Sequence, residues 1–294
     1  MRFFTDTNID FIGKRKISFF ISAVMILLSF WFIFIKKPNW GIDFTGGVLM
    51  QIEFEGETQE ELLREVFQNA GIEEVGIQSY GDQKNLLLRF RSDYATEEGL
   101  RQISSFIEEG LPDAEFEVVK TEMVGPVVGG YLRGKALMAF FLAFVGMSIY
   151  VAWRFQGGIW GLTAVLALIH DVLVVFGLLA FLGVTIDLTV MAALLTLVGY
   201  SINDTIVIYD RIRENIKIHY KASLEDVINI SINTTLSRTT VTSLTTLLVV
   251  IAIFLKGVDV LRGFSTALLA GIFVGTYSSI FLASPMVFIW HRRK

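Results

Sequence analysis

The chain has 294 residues, of which 53% are hydrophobic and only 18% charged, with a formal net charge of −4 and a mean hydropathy of +0.58. This composition excludes an ordinary soluble domain, because apolar runs of about 18 or more residues indicate membrane spans. The sequence contains no cysteine, so thiolate chemistry and disulfide bonds are excluded as well.

Six apolar runs predict six transmembrane helices, each near 20 residues long. They are Ile17–Ile35, Ala136–Trp153, Ile159–Leu182, Leu188–Tyr209, Leu236–Leu255 and Phe264–Trp290. The first run follows a basic cluster, as a signal peptide does. Its apolar core is longer than that of a signal peptide, and no small-residue cleavage site follows it. We therefore interpret it as an uncleaved anchor.

The distribution of Lys and Arg predicts the orientation. Most basic residues of the short loops and termini lie on the side of Lys14, Arg15 and Lys16, so both termini are expected in the cytoplasm. The predicted organisation has three parts. Residues 1–36 form the cytoplasmic N-terminus and the first transmembrane helix, 37–133 form a periplasmic domain, and 134–294 hold transmembrane helices 2–6 with a cytoplasmic C-terminus.

The periplasmic segment alternates between strand and helix patterns in the order βαββαβ. The predicted strands are Val48–Phe54, Val75–Tyr80, Leu86–Phe90 and Phe116–Lys120, and the predicted helices are Thr58–Ala70 and Thr96–Glu109. This order is typical of the ferredoxin-like fold. The fold class predicted is thus a polytopic α-helical membrane protein with six transmembrane helices and one α+β, ferredoxin-like periplasmic domain.

The periplasmic segment shows no sign of catalysis. It offers no nucleophile–base pair, no metal-ligand cluster and no phosphate-binding loop. Its acidic character also disfavours nucleic acid as a partner. We interpret the segment as a binding or docking module rather than an enzyme, because a fold alone does not specify an activity.

Asp204 lies inside the fourth apolar run, and the fifth run contributes Arg238. A carboxylate in the bilayer costs several kcal/mol unless it is protonated, paired or hydrated, so it is a candidate for function. Counting from the cytoplasmic surface at Asp210 places Asp204 roughly 9 Å deep, and Arg238 at a similar depth. Arg keeps its proton, so Asp204 is the partner that can change its charge. The alternative is an ion pair that only fixes packing.

Asp171 lies near the middle of the third apolar run, beside His170. A carboxylate at that depth needs a partner, for which Arg238 and a polar group on another chain are candidates. A role in a proton relay and a role in packing both remain open. His170 is interpreted as a helix-contact residue. With three histidines and no cysteine in the chain, we expect neither a metal nor another cofactor.

Several motifs together resemble the SecF family, the smaller subunits of the SecDF protein-export complex, over essentially the whole chain. The matching stretches are Gly41-Ile42-Asp43-Phe44-Thr45-Gly46-Gly47, His170-Asp171-Val172, Val198-Gly199-Tyr200-Ser201-Ile202-Asn203-Asp204-Thr205-Ile206-Val207, Asp210-Arg211-Ile212-Arg213-Glu214-Asn215 and Ser237-Arg238-Thr239. The family is similar to the RND transporter superfamily.

The resemblance implies a function in the Sec pathway. It implies a multi-pass protein of the cell inner membrane that pairs with SecD, works beside the SecYEG translocon and the SecA ATPase, and uses the proton-motive force to promote translocation of preproteins. It also implies a proton pathway through Asp204, Arg238 and Thr242, to which we add Asp171 as a candidate. For Asp43 the resemblance implies that it holds the start of the periplasmic domain against the membrane part.

The glycines around Asp43 support a structural motif at the start of the periplasmic domain. Gly41, Gly46 and Gly47 permit a tight backbone path, and the Asp43 side chain can accept hydrogen bonds from turn amides. A turn is favoured over ligand binding, although both remain open.

Two other functions remain possible. An RND-type, proton-driven small-molecule exporter subunit would also place charges in the membrane, although it would need two large outside loops. An assembly subunit would use the same charges for architecture alone.

Overall fold

The computed structural model describes residues 7–56, 60–72, 75–79, 84–112 and 114–291. The chain divides into two compact units. One comprises residues 1–39 and 138–294 and is called the membrane unit below. The other comprises residues 40–137 and is called the loop domain. Each is described by itself.

The elements follow in chain order. They are helix α1 (Arg15–Trp31) with a π-helical end (Phe32–Lys36), β1 (Asn39–Trp40), α2 (Ile42–Thr45), β2 (Gly47–Phe54), α3 (Glu60–Asn69), β3 (Gly76–Ser79), β4 (Asn85–Phe90), a 3-10 turn (Ser92–Tyr94), α4 (Glu97–Gly110), β5 (Phe116–Val124), α5 (Pro126–Phe155), α6 (Gly158–Leu182), β6 (Thr185–Ile186), α7 (Leu188–Ile218), α8 (Leu224–Lys256), a 3-10 turn (Asp259–Leu261), α9 (Arg262–Ser278), a π-helix (Ser279–Ala283) and α10 (Ser284–His291).

Six helical segments of the described chain are long and apolar enough to cross a membrane, as the sequence predicts. They comprise α1 with its π-helical end, α5, α6, α7, α8, and the continuous run from Arg262 to Trp290. The protein is therefore a multi-pass membrane protein built mainly from helices, with a small sheet region.

Two membrane helices extend well beyond their predicted apolar runs. Helix α7 continues to Ile218 and α8 begins at Leu224, so only five residues connect them. The Ser223 side chain caps α8 by accepting a hydrogen bond from the Asp226 amide at 3.1 Å. Both helices continue without interruption into these polar ends. A helix can form outside the membrane when its terminal backbone groups are capped.

The last membrane segment contains a π-helix between α9 and α10. Pro285, the second residue of α10, has no N–H group to donate to the carbonyl four residues before it. The preceding residue, Ser284, donates its hydroxyl to the Ser279 carbonyl at 2.9 Å, a bond across five residues. π-helical turns of this kind occur often at functional sites, and this one lies beside the candidate site described below.

An N-terminal segment, residues 9–12, is held against α8 by two asparagine side chains; we call this contact the N-terminal clasp. Asn229 Oδ1 accepts hydrogen bonds from the Phe11 and Ile12 amides at 2.9 and 3.0 Å, and Asn233 bonds both the amide and the carbonyl of Ile9. Asn229 Nδ2 donates to Asp10 Oδ1 at 2.9 Å.

Asp10 is the titratable member of the clasp. Hydrogen bonds from the Gly13 backbone amide and the Asn229 side chain lower the pKa of Asp10 below its usual 3.8. This carboxylate is therefore ionised at neutral pH.

The loop domain contains a four-stranded antiparallel sheet in the order β3-β4-β2-β5. One face of β2 is buried through Val48, Met50, Ile52 and Phe54, as strand alternation requires. The apolar stripes of α3 and α4 supply the rest of the core, with Leu63, Phe67, Ile103 and Ile107 fully buried. The order of elements agrees with the predicted βαββαβ sequence. The ferredoxin-like assignment itself stays a prediction.

Two predicted ends in the loop domain lie outside the described residues, namely Thr58 at the start of the first helix and Tyr80 at the end of the second strand. Strand β5 runs four residues beyond the predicted Lys120, to Val124, because its pairing with β2 continues to Gly47. Helix α5 begins at Pro126, ten residues before the predicted span. Proline suits a first helical position, where its missing N–H has no intrahelical partner to lose.

Candidate functional site

Asp204 and Arg238 lie at equal distances from the turn that joins their helices. Asp204 is fourteen residues before Ile218, the last residue of α7, and Arg238 is fourteen residues after Leu224, the first residue of α8. At 1.5 Å per residue each lies about 21 Å from the connection. The two antiparallel helices therefore carry the opposite charges at one level, as the sequence predicts.

Asp204 is buried but incompletely partnered. Its side chain is almost inaccessible, with 3% of the residue exposed. Arg238 is close enough to act on it electrostatically, yet Asp204 forms no ion pair with any described residue. Its Oδ2 atom is buried and has no hydrogen-bond partner among them. A buried charged oxygen without a partner is costly, so this carboxylate needs a further partner or a proton.

Arg238 is exposed on the surface of this single chain. Only 11% of the apolar, 18-residue stretch of α8 is buried within the chain, against 56% of the corresponding stretch of α7. In a bilayer the exposed guanidinium would face lipid, which is unfavourable for a permanent charge. The α8 face that carries Arg238 therefore requires a cover.

Thr242, one turn after Arg238, is held by its own helix. Its hydroxyl donates to the carbonyls of Arg238 and Thr239 at 3.1 and 2.9 Å. Near it, Thr239 Oγ1 is a second buried polar atom with no partner in the described part of the chain, and the Tyr200 hydroxyl on α7 is a third. Atoms of this kind are usually satisfied by water or by another chain.

Asp171 on α6 occupies a complete hydrogen-bonding site. It is fully buried, and its Oδ2 accepts hydrogen bonds from the hydroxyls of Ser201 at 2.6 Å and Ser278 at 2.7 Å. His170 Nδ1 lies 2.9 Å from its Oδ1. The sequence offers Arg238 or a group of another chain as its candidate partner. The structure instead shows partners within the chain, because α7 and α9 bring two hydroxyl donors to the same oxygen.

One turn further along α7, a pair of hydroxyl groups connects that helix to the π-helix. Thr205, next to Asp204, shares a 2.8 Å hydrogen bond with Ser279, the first residue of the π-helix. Ser279 also donates to the Ser201 carbonyl at 3.4 Å. Ser201 and Thr205 lie in one of the stretches that resemble the family, whereas the sequence did not single out Ser278 or Ser279. The paired serines inside an apolar span were the available signal.

Helix α9 approaches α7 closely at this level. A Cβ atom on Gly275 would lie 3.0 Å from the Ser201 Cβ, and one on Gly271 would lie 2.7 Å from a Leu197 methyl group. Small residues allow such close approach between membrane helices. The glycines thus bring Ser278 within hydrogen-bonding distance of Asp171.

The glycine motif at the start of the loop domain forms a tight turn. Asp43 lies in the first turn of the four-residue helix α2, and Gly46, the residue directly after that helix, has φ +72°. Gly47 has φ +136°, and a Cβ there would lie 2.3 Å from the Phe90 carbonyl oxygen. Both positions therefore require glycine. Gly41 has φ −69°, so it does not use the conformational freedom that we predicted for it.

No group of His, Cys, Asp or Glu in the described ranges could hold a metal ion. Asp204, Arg238 and Thr242 lie in one region of α7 and α8, while Asp171 lies behind α7, bonded to α9. The glycine motif belongs to the loop domain and is a separate feature.

Comparison with known proteins identifies the family. Residues 107–293 match the family model described as "Protein export membrane protein SecD/SecF, C-terminal", and residues 31–57 match the "SecD/SecF GG Motif". The protein translocase subunit SecF of Calditerrivibrio nitroreducens is 44% identical over 97% of this chain and 94% of its own length. SecF of Endomicrobium trichonymphae is 41% identical over 99% of this chain and 94% of its own length.

The fold is similar to that of a larger crystallised protein. SecDF from Thermus thermophilus, described as a translocon-associated membrane protein, superposes with a TM-score of 0.89 at 36% identity, covering 98% of this chain. This chain spans only 39% of that SecDF chain. A SecDF structure in a super-membrane-facing form superposes with a TM-score of 0.73. On these grounds the chain belongs to the SecF family of protein translocase subunits.

Proposed function

We propose that this chain is the SecF half of a SecD–SecF complex that uses the proton-motive force to promote preprotein translocation beside SecYEG and SecA. In this proposal both termini are cytoplasmic and the loop domain lies in the periplasm, as the basic residues favour. Asp204 carries the proton, and Arg238 and Thr242 form its immediate surroundings.

The observation that carries the proposal is the state of Asp204. Its Oδ2 is buried without a hydrogen-bond partner in the described chain, and Arg238 is near without forming an ion pair. A purely architectural ion pair would be closed, because an open one forfeits most of the attraction that offsets desolvation. An open arrangement leaves room for the carboxylate to gain and lose a proton as the helices shift.

The partner follows from the exposed face of α8. Arg238 is exposed on this chain, and α5 and α8 bury only 6% and 11% of their apolar, 18-residue stretches. A second membrane subunit over α8 would remove the guanidinium from lipid and could supply the missing partner for Asp204. The similar chain is named SecDF and this chain covers only 39% of it, which supports SecD as that subunit.

Translocation into membrane vesicles that contain the complex tests the proposal. One proton moved through about 100 mV contributes about 2.3 kcal/mol, equivalent to a factor of about 50 in an equilibrium. Asp204→Asn should abolish the stimulation of translocation by the proton-motive force while the complex still assembles. Asp210→Asn is the control. Asp210 lies on the same helix as Asp204, but its carboxylate forms a half-exposed ion pair with Arg154 of α5. Full stimulation in Asp204→Asn would refute the proposal.

A further inference from the structure

Asp171 is a buried carboxylate that the proposed proton pathway does not need. Its three contacts come from α6, α7 and α9, namely the neighbouring His170, Ser201 and Ser278. It lies 33 residues before Asp204 in the sequence but is tied to the adjacent turn of α7, since Ser201 is three residues before Asp204.

The contacts of α7 show what this site holds in place. Ser201 and Thr205 are four residues apart, so they lie on one face of the helix. Both are bonded, Ser201 to Asp171 and Thr205 to Ser279. Asp204 is about 60° around the helix from Ser201 at 100° per residue. The turn that carries Asp204 is therefore held by hydrogen bonds to α6 and to the π-helix.

The hydrogen bonds do not extend from Asp171 to Asp204. Ser279 bonds the Ser201 carbonyl rather than its hydroxyl, and no described residue bonds the Asp204 Oδ2 atom. A proton relay needs a continuous chain of exchangeable groups, whereas a positional restraint needs only the bonds that are present. The geometry thus favours a restraint.

We propose that Asp171 is a positioning residue, which through Ser201 and Ser278 sets the placement of the Asp204 turn between α8 and the π-helix. The inference rests on the proposed function, because Asp204 is the group being positioned. The neutral Asn side chain is a good substitute in this role. Its carbonyl oxygen can accept both serine hydroxyls, which keeps the bonds to α7 and α9. Its amide can donate to His170 Nδ1 only in the tautomer protonated at Nε2, and that Nε2 atom is buried without a partner among the described residues, so the contact with His170 is the one that Asn weakens.

The test compares Asp171→Asn with Asp171→Ala in the complex with the SecD partner, measuring translocation with and without a proton-motive force. Asp171→Asn should retain most of the stimulation, and Asp171→Ala should reduce it at least about tenfold, since two hydrogen bonds from serine hydroxyls are lost. Translocation without the proton-motive force and the amount of assembled complex should stay unchanged. Asp171→Asn as inactive as Asp171→Ala would indicate a relay and overturn the inference.

Milder variants decide the question if Asp171→Ala fails to assemble. Ser278→Ala removes one donor, and Ser265→Ala is its matched control. Both serines are fully buried, but the Ser265 hydroxyl bonds only carbonyls near the start of its own helix. Ser278→Ala should lose several-fold of the stimulation and Ser265→Ala none. Equal stimulation in the two variants would overturn the inference.

The two proposals fail in different ways. If Asp204→Asn keeps full stimulation, the proposed function fails and the positioning role fails with it. If Asp204→Asn loses stimulation while Ser201→Ala and Ser278→Ala both keep it, only the positioning role is wrong.

Discussion

The N-terminal clasp predicts a large local effect for one side-chain truncation. Asn229→Ala removes three hydrogen bonds, two accepted from the buried Phe11 and Ile12 backbones and one donated to Asp10. The two amides lose a partner that no other side chain provides in the described chain. Residues 9–12 would then leave α8 more often, although the apolar contacts of Phe11 and Ile12 remain.

The expected size follows from those bonds. Each contributes about 0.5–1.5 kcal/mol net, so the clasp should lose about 2–4 kcal/mol of local opening free energy. Amide hydrogen exchange at Phe11 and Ile12 should accelerate by about 30-fold to 1,000-fold. Asn233→Ala removes the two bonds to Ile9 and should have a smaller effect, centred on that residue.

Hydrogen exchange of the full chain in lipid nanodiscs measures this effect. Asn203→Ala is the control, because Asn203 is exposed on α7 and makes no hydrogen bond within the described chain. It should leave exchange at Phe11 and Ile12 unchanged. If Asn229→Ala accelerates that exchange by less than about threefold, the hydrogen bonds do not hold the segment and the reasoning is refuted.

Three further predictions concern other parts of the chain. Because folding lowers the pKa of Asp10, its stabilisation of the clasp is complete at pH values above the unfolded pKa and is lost as the pH falls through the lower, folded pKa. Exchange protection of residues 9–12 should therefore be constant from about pH 7 to 5 and decline below about pH 4. Asp10→Asn should remove that decline. Gly47→Ala should destabilise the loop domain by at least about 2 kcal/mol, seen as faster exchange in its sheet, whereas Gly125→Ala, which meets no atom within 4 Å, should have little effect. Arg238→Met should lose proton-driven stimulation of translocation as Asp204→Asn does. The double variant should be no worse than either single variant, because each substitution removes the same coupled pair. Additive losses in translocation assays would contradict this.

The sequence predicted the membrane elements well because their signal is local. An apolar run of about 20 residues identifies a span without knowledge of its neighbours. The polar ends of α7 and α8 carry no such signal, so the continuation to Ile218 and the start at Leu224 were missed. The π-helix from Ser279 to Ala283 lies just before Pro285 and contacts α7 through Thr205, and no periodicity in the sequence indicates it.

The candidate site was predicted in part for the same reason. Asp204 and Arg238 are exceptional within apolar runs, and counting along two antiparallel helices places them at one level. The partners of Asp171 could not be found in this way. Ser201 and Ser278 follow it by 30 and 107 residues, and only the packing of three helices brings them together.

The protonation of Asp204 during turnover tests the central claim most directly. Isotope-edited infrared spectroscopy of the complex, with labelled aspartate and Asp204→Asn as the reference, can follow the carbonyl stretch of the protonated acid while a proton-motive force drives translocation. We predict that this band appears and disappears with the transport cycle. A carboxyl group that stays ionised, or stays protonated, throughout active translocation would contradict the account.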